Sequence, residues 1–217
     1  MKQGVIGADH EFHDREYALG WAERFVPTTE RRRLFDIILC ELQQQIPVNG
    51  RVLELGIGPG YLAQYLLEAM PAIEYHGIDF SKPMLDIASK RLQHFSSRIS
   101  YTQADLVEDA WEGFLAEPLA AVVSTWALHD LGGPQNTEVV YKKSFKSLNK
   151  HGILLNGDFI KPEGTPHEFE AGRFQVGRHL DMLRESGFVT AECLIVLEEE
   201  IASPTPAQNY ACLKALG

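Results

Sequence analysis

Apolar positions along the chain fall into two alternating regimes. Short apolar runs at 51–55, 73–78, 99–104, 119–124 and 153–157 have the length and β-branched content of buried strands. Between them, 60–70, 82–95 and 136–149, with a shorter stretch at 107–115, carry the 3.6-residue spacing of helices. Strands that alternate with helices of this length predict right-handed crossovers and a mostly parallel sheet covered on both faces. The pattern then changes. Residues 177–186 predict a helix closed by Gly187 and followed by Phe188. The apolar runs 191–198 and 209–216 are joined through Ile-Ala-Ser-Pro-Thr-Pro, too short for a crossover, so they are expected to pair antiparallel at the end of the sheet. Pro204 and Pro206 belong to that connection and not to a strand. The one loop-like stretch of any length is 161–175.

The segment ahead of the first strand is helical in character. Tyr17, Trp21 and Phe25 recur every four residues and form an aromatic stripe. Pro27 ends that segment, and Thr28 or Thr29 can cap a second helix with Leu34, Ile37, Ile38 and Leu42 on its apolar face. The expectation is a single domain over 1–217, with an N-terminal helical cap at 1–48 and an α/β core at 49–217.

Composition narrows the function classes. With 217 residues, 45% of them hydrophobic and 23% charged, the chain can bury a substantial core and resembles ordinary soluble proteins. Its formal net charge of −10 repels phosphates, and Arg31-Arg32-Arg33 reads as a solvated face, so nucleic acid is not an expected partner. No signal peptide or membrane-spanning run is present, which makes a cytoplasmic address the default and a membrane partner unexpected. Cys40, Cys193 and Cys212 lack metal-ligand spacing and read as reduced core fillers. His10 and His13 beside Asp9 and Asp14 lack the remote ligands of a closed metal site, so no metal is expected. A monomer or homodimer acting on a small molecule is the expectation.

The chemistry concentrates at 52–60, Val-Leu-Glu-Leu-Gly-Ile-Gly-Pro-Gly. An apolar strand runs into Gly56, Gly58 and Gly60, whose missing Cβ atoms let a ligand approach backbone, and Leu62, Tyr65 and Leu66 open a helix behind them. The next strand ends in Asp79, at a distance suited to a carboxylate that accepts both hydroxyls of a ribose. The third ends in Asp105, placed to meet an adenine amino group. Acids at the C-terminal ends of neighbouring strands converge where open α/β sheets bind ligands. Each has a structural alternative: Glu54 as a buried acid holding backbone amides, Asp79 and Asp105 as helix caps. Phe80 and Met84 suit the walls of an adenine pocket, with core packing the other reading for Met84. A dinucleotide cofactor is less well matched, because its fingerprint spaces the second and third glycines three apart while these are two apart throughout.

On these residues the chain resembles the class I S-adenosylmethionine-dependent methyltransferases over roughly residues 30–217. Glu54-Leu-Gly-Ile-Gly-Pro-Gly60 is similar to the family's first motif, E/D-x-G-x-G-x-G; Asp79 matches its ribose acid, and Ala104-Asp105-Leu106 its adenine-side segment. Leu148–Leu155 is similar to the segment L-x-P-G-G-x-L, with Lys150 and His151 in place of Pro and Gly. The resemblance implies a Rossmann-like seven-stranded sheet of order 3-2-1-4-5-7-6 with helices on both faces. It also implies S-adenosylmethionine as cofactor and S-adenosylhomocysteine as product.

The acceptor side is sparser. The fourth strand continues Ser124-Thr-Trp-Ala-Leu-His-Asp130, which places Thr125, Trp126 and His129 past a strand end facing the cofactor. His129 has the pKa range of a general base, and ordering its own loop is its alternative role. Asp158, at the end of the fifth strand, is a second candidate for the acceptor pocket, or else a solvent-facing or capping acid. Tyr17 and Trp21 are expected to cover an apolar or cationic acceptor, or simply to pack the first helix. The expected activity is methyl transfer to O or N of a small molecule. Its alternatives are a non-catalytic cofactor-binding module and, further off, a nicotinamide-dependent oxidoreductase.

Overall fold

The structure, a computed structural model, describes residues 10–114, 118–164, 169, 171–197 and 209–217. Its strands are β1 (Arg51–Leu55), β2 (Glu74–Asp79), β3 (Ile99–Gln103), β4 (Leu119–Thr125), β5 (Leu148–Phe159), β6 (Thr190–Leu197) and β7 (Tyr210–Leu216). The helices are α1 (Arg15–Arg24), α2 (Thr29–Gln45), α3 (Tyr61–Ala69), α4 (Lys82–Arg91), α5 (Pro134–Ser147) and α6 (Val176–Glu185). The sheet has the order β3-β2-β1-β4-β5-β7-β6, parallel from β3 to β5, with β7 antiparallel to both its neighbours. The antiparallel end follows from the short connection; that connection, with Pro204 and Pro206, lies outside the described residues.

Alternation along β1 shows how the sheet divides two cores. Val52 joins Leu34, Ile38, Leu42, Leu62 and Leu66 under α2 and α3, while Leu53 and Leu55 face Tyr141, Met182 and Leu183 under α5 and α6. Each fully buried leucine or isoleucine contributes roughly 1.5–3 kcal/mol relative to exposure, so both layers are held mainly by apolar burial.

Several expectations need correction. The helix expected over 107–115 is replaced by a turn and a 3-10 segment, Trp111–Phe114. There the Asp105 carboxylate accepts the amides of Val107 and Glu108 at 2.8 and 3.0 Å, and the buried Trp111 indole donates to Leu106 O at 2.9 Å. The Asp105 carboxylate thus holds one turn as an N-cap would, and a 3-10 segment follows it in place of an α-helix. β5 begins at Leu148, earlier than its apolar run, and a register shift between Leu119 and Ala121 of β4 accommodates the extra length. Cys40 is exposed on α2, not a core filler, and accepts from Gln44 Nε2 at 3.0 Å; Cys193 is half-buried and only Cys212 is fully buried. Arg31 does not face solvent alone: its guanidinium lies 3.9 Å from the Phe25 ring centroid.

The N-terminal helices position the site. Thr28 caps α2, accepting from Arg31 N at 3.3 Å. The buried face of α1 is Ala18 and Ala22, small enough for close approach to α4. Tyr61 Oη pins α1 by donating to Ala22 O at 2.8 Å. Trp21 and Phe25 are thereby left over the C-terminal edge of the sheet, stacked with centroids 4.3 Å apart. Ahead of α1, Phe12 is tied down by the Ser81 hydroxyl, which donates to its carbonyl at 2.5 Å.

Candidate active site

The glycine turn after β1 is the floor of the site. Gly56 and Gly58 have φ of +68° and +51°, values that suit glycine. A Cβ on Gly56 would lie 2.4 Å from the Cβ of Ala127, whereas one on Gly58 would meet nothing within 4 Å and would project into open space. Close packing behind and vacancy in front is the arrangement of a cradle that a ligand can enter. Gly60 stands apart as the N-cap of α3, packed on Ala88 and Leu92.

Asp79 fastens this turn to β2. Its Oδ2 accepts the Gly58 amide at 2.8 Å and its Oδ1 the Ser81 amide at 2.9 Å. Burial pushes its carboxyl up to about 6, against the lowering effect of those two amides and of His13. Each oxygen keeps a lone pair for a further donor. Glu54 is buried beside it and accepts from Tyr75 Oη at 2.8 Å. Burial raises its carboxyl to about 8; the Tyr75 hydrogen bond opposes this and the Asp79 charge adds to it.

One cavity gathers most of the residues singled out by sequence. Glu54, Gly56, Gly58, Asp79, Phe80, Met84, Asp105, Leu106, Thr125, Trp126 and Trp21 all line it. Ala104 is buried behind the wall, donating its amide to Asp79 O at 3.1 Å. Tyr17 sits outside the lining with its ring against Phe12 at 5.4 Å. The lining holds four carboxylates, Glu54, Asp79, Asp105 and Asp130, and no Lys, Arg or His among the described residues.

His129 and Asp158 are brought together, but behind the cavity. Asp158 is buried, and its two oxygens accept from His129 Nδ1 at 2.7 Å and from the His129 amide at 2.9 Å. It also accepts the Phe159 amide at 2.8 Å, so of its alternatives the capping role is realised and solvent exposure is not. Burial would lower the His129 pKa, but the Asp158 charge and hydrogen bond outweigh that and raise it; Asp130 adds to the rise and Arg173 opposes it. Segment 171–174 closes over His129 so tightly that a Cβ on Gly172 would lie 1.7 Å from the His129 carbonyl oxygen.

Some lining residues gave little sequence signal. Phe12, Pro27, Phe35 and Leu131 arrive from separate elements and share no motif. Trp126 adopts φ +49°, rare for a bulky side chain, at the end of β4. Its amide is held by Gly157 O at 2.9 Å, and its ring is fixed among Phe25, Phe35 and Tyr210 at 6.1, 5.9 and 5.6 Å. Its buried indole N–H makes no hydrogen bond among the described residues. Asp130 follows His129 directly, the one hint the sequence offers for it.

Comparison with known proteins agrees with this architecture. Residues 52–152 match the model of a methyltransferase domain. An uncharacterized methyltransferase of Anoxybacillus flavithermus is 31% identical over 135 residues, covering 61% of this chain and 59% of that protein. A carboxy-S-adenosyl-L-methionine synthase of Campylobacter lari is 26% identical over 114 residues, 52% of this chain and 46% of that one. The chain thus spans less than two thirds of the length of either relative. Human N-acetylserotonin methyltransferase, solved in complex with SAM, shares the fold with TM-score 0.68 at 16% identity, over 95% of this chain and 57% of that one. Its sheet order, its glycine turn and the acids that follow it give the chain the class I S-adenosylmethionine-dependent methyltransferase fold, with a methyltransferase domain matched over residues 52–152.

Proposed function

We propose that the chain transfers a methyl group from S-adenosylmethionine to an O or N atom of a small-molecule acceptor. The carrying observation is one cavity lined both by the acids at the ends of β1 and β2 and after β3 and by the aromatic wall of Trp21, Phe25 and Trp126. In this reading Gly56 and Gly58 admit the methionine portion, and Glu54 faces its cationic groups. Asp79 accepts the ribose hydroxyls, and Phe80, Met84, Asp105 and Leu106 enclose the adenine. Thr125 also lines the cavity, next to Trp126.

The open space in front of Gly58 and the carboxylate-rich lining fit that cofactor. When bound, it supplies a methyl carbon already activated by a sulfonium. The protein's work is then to desolvate, orient and hold, because in-line displacement gains most of its rate from proximity. The acidic lining favours the unmodified cofactor over one that carries a further carboxylate. The same acidity, the enclosed cavity and the net charge of −10 favour a small acceptor over a nucleic acid. Among the described residues no helix is long and apolar enough to cross a membrane.

Calorimetric titration with S-adenosylhomocysteine and, separately, NADH tests the cofactor. Heat from the first and none from the second is expected; the reverse would rule the reading out.

A further inference from the structure

Within that methyltransferase reading, we infer that Asp130 is the group that takes the acceptor's proton, that His129 and Asp158 position it, and that the acceptor is a non-anionic aromatic O–H or N–H compound. His129 itself does not line the cavity; Asp130 does. The His129 ring is clamped between two carboxylates, Asp158 Oδ1 at 2.7 Å from Nδ1 and Asp130 Oδ1 at 3.3 Å from Nε2. The Phe159 ring packs edge to face with it at 4.9 Å, and Gly172 lies against the His129 carbonyl, which fixes the backbone that carries the ring. The imidazole therefore cannot swing into the cavity, and the outer carboxylate of the chain is the one an acceptor meets.

The surrounding charges agree. Burial and the Asp158 charge raise the Asp130 carboxyl, while His129, His10 and Arg173 lower it. Tyr17 also lies within electrostatic reach of Asp130. With His129 protonated, the three groups carry one net negative charge and can take up one proton.

The step balances. The acceptor's O or N attacks the methyl carbon, a new bond to that carbon forms, and the sulfur–methyl bond breaks with its electron pair retained on sulfur. The acceptor's proton passes to the Asp130 carboxylate, while the His129 Nε2–H stays paired with Asp130 Oδ1, and is then released to water. The acceptor class follows from the lining: its acidic side chains, with no Lys, Arg or His among the lining residues, disfavour an anion, and Trp21 and Trp126 add aromatic surface that suits a flat molecule.

Three phenols of one ring type test both parts: neutral 4-ethylphenol, cationic tyramine and anionic 3-(4-hydroxyphenyl)propionate. Methyl transfer from labelled S-adenosylmethionine is measured with the full chain between pH 5 and 9, with S-adenosylhomocysteine affinity as the control for folding. Turnover of the neutral and cationic phenols, at least tenfold above the anionic one, is expected. Asp130→Asn should lower kcat at least fiftyfold with S-adenosylhomocysteine affinity unchanged, and Asp130→Glu should restore part of it. His129→Gln removes a positive neighbour of Asp130, so the acidic limb of the pH–rate profile should move to higher pH. Preference for the anionic phenol would overturn the inference. So would kcat within threefold of the parent in Asp130→Asn, an unmoved acidic limb, or no turnover of any phenol while S-adenosylhomocysteine still binds. Failure to bind S-adenosylhomocysteine would instead remove the cofactor assignment and this inference with it.

Discussion

Replacing Glu54 by Gln isolates the cost of keeping an acid in the floor of the cavity. Glu54 is 1% exposed, and burial raises its carboxyl from an ordinary 4.5 to about 8. The folded protein therefore holds a proton that the unfolded chain gives up above pH 4.5, and stability must fall as pH rises from 4.5 to 8, then level off. Linkage places the loss at about 1 kcal/mol at pH 5 and about 4 kcal/mol at pH 7.5. Glutamine stays neutral and can still accept from Tyr75 Oη, so Glu54→Gln should be more stable than the parent by about those amounts. Urea denaturation without ligand at pH 5, 6, 7.5 and 8.5 measures the difference. A cationic ligand reverses the bias, since its charge favours the carboxylate. Binding of the sulfonium cofactor at pH 7.5 should then release a fraction of a proton, visible as a dependence of calorimetric heat on the buffer's ionisation enthalpy. Parallel stability curves for parent and variant, together with buffer-independent heat, would refute the reasoning.

Asp79→Ala removes the carboxylate that holds Gly58 and Ser81, and S-adenosylhomocysteine affinity should drop by about 2–4 kcal/mol in calorimetry. Gly56→Ala places a methyl 2.4 Å from Ala127 at φ +68° and should destabilise the fold by about 2–3 kcal/mol in urea denaturation. Its counterpart at Gly58, where a Cβ meets nothing within 4 Å, should weaken cofactor binding more than it weakens folding. The raised pKa of His129 gives stability that is complete below its unfolded value of 6.5 and is lost as pH rises through the folded one. His129→Gln should flatten that part of the melting-temperature profile, and an unchanged slope would count against the Asp158 pairing.

The sheet order was legible because strand length, crossover length and the short final connection each restrict topology independently. Glu54, Gly56, Gly58 and Asp79 were legible for a related reason. They occupy fixed offsets from strand ends, so local chain geometry alone brings them together. The acceptor side has no such grammar. Phe12, Trp21, Phe35 and Asp130 reach the cavity from separate elements, and only tertiary packing decides which of their side chains face it. His129 illustrates the difference: its place after β4 was readable, but the packing of Phe159 on its ring and of Gly172 on its carbonyl depends on residues remote in sequence.

Ser81 links two events that the sequence keeps far apart. Its amide is held by Asp79 and its hydroxyl by the carbonyl of Phe12, so the wall of the acceptor end is tethered one residue from Phe80 on the cofactor's side. Phe12 and Phe80 line one cavity on either side of this tether, so a bound cofactor would complete part of the surface that an acceptor meets. The expected consequence is an order of arrival, cofactor first and acceptor second. In steady-state kinetics S-adenosylhomocysteine would then compete with S-adenosylmethionine but not with the acceptor.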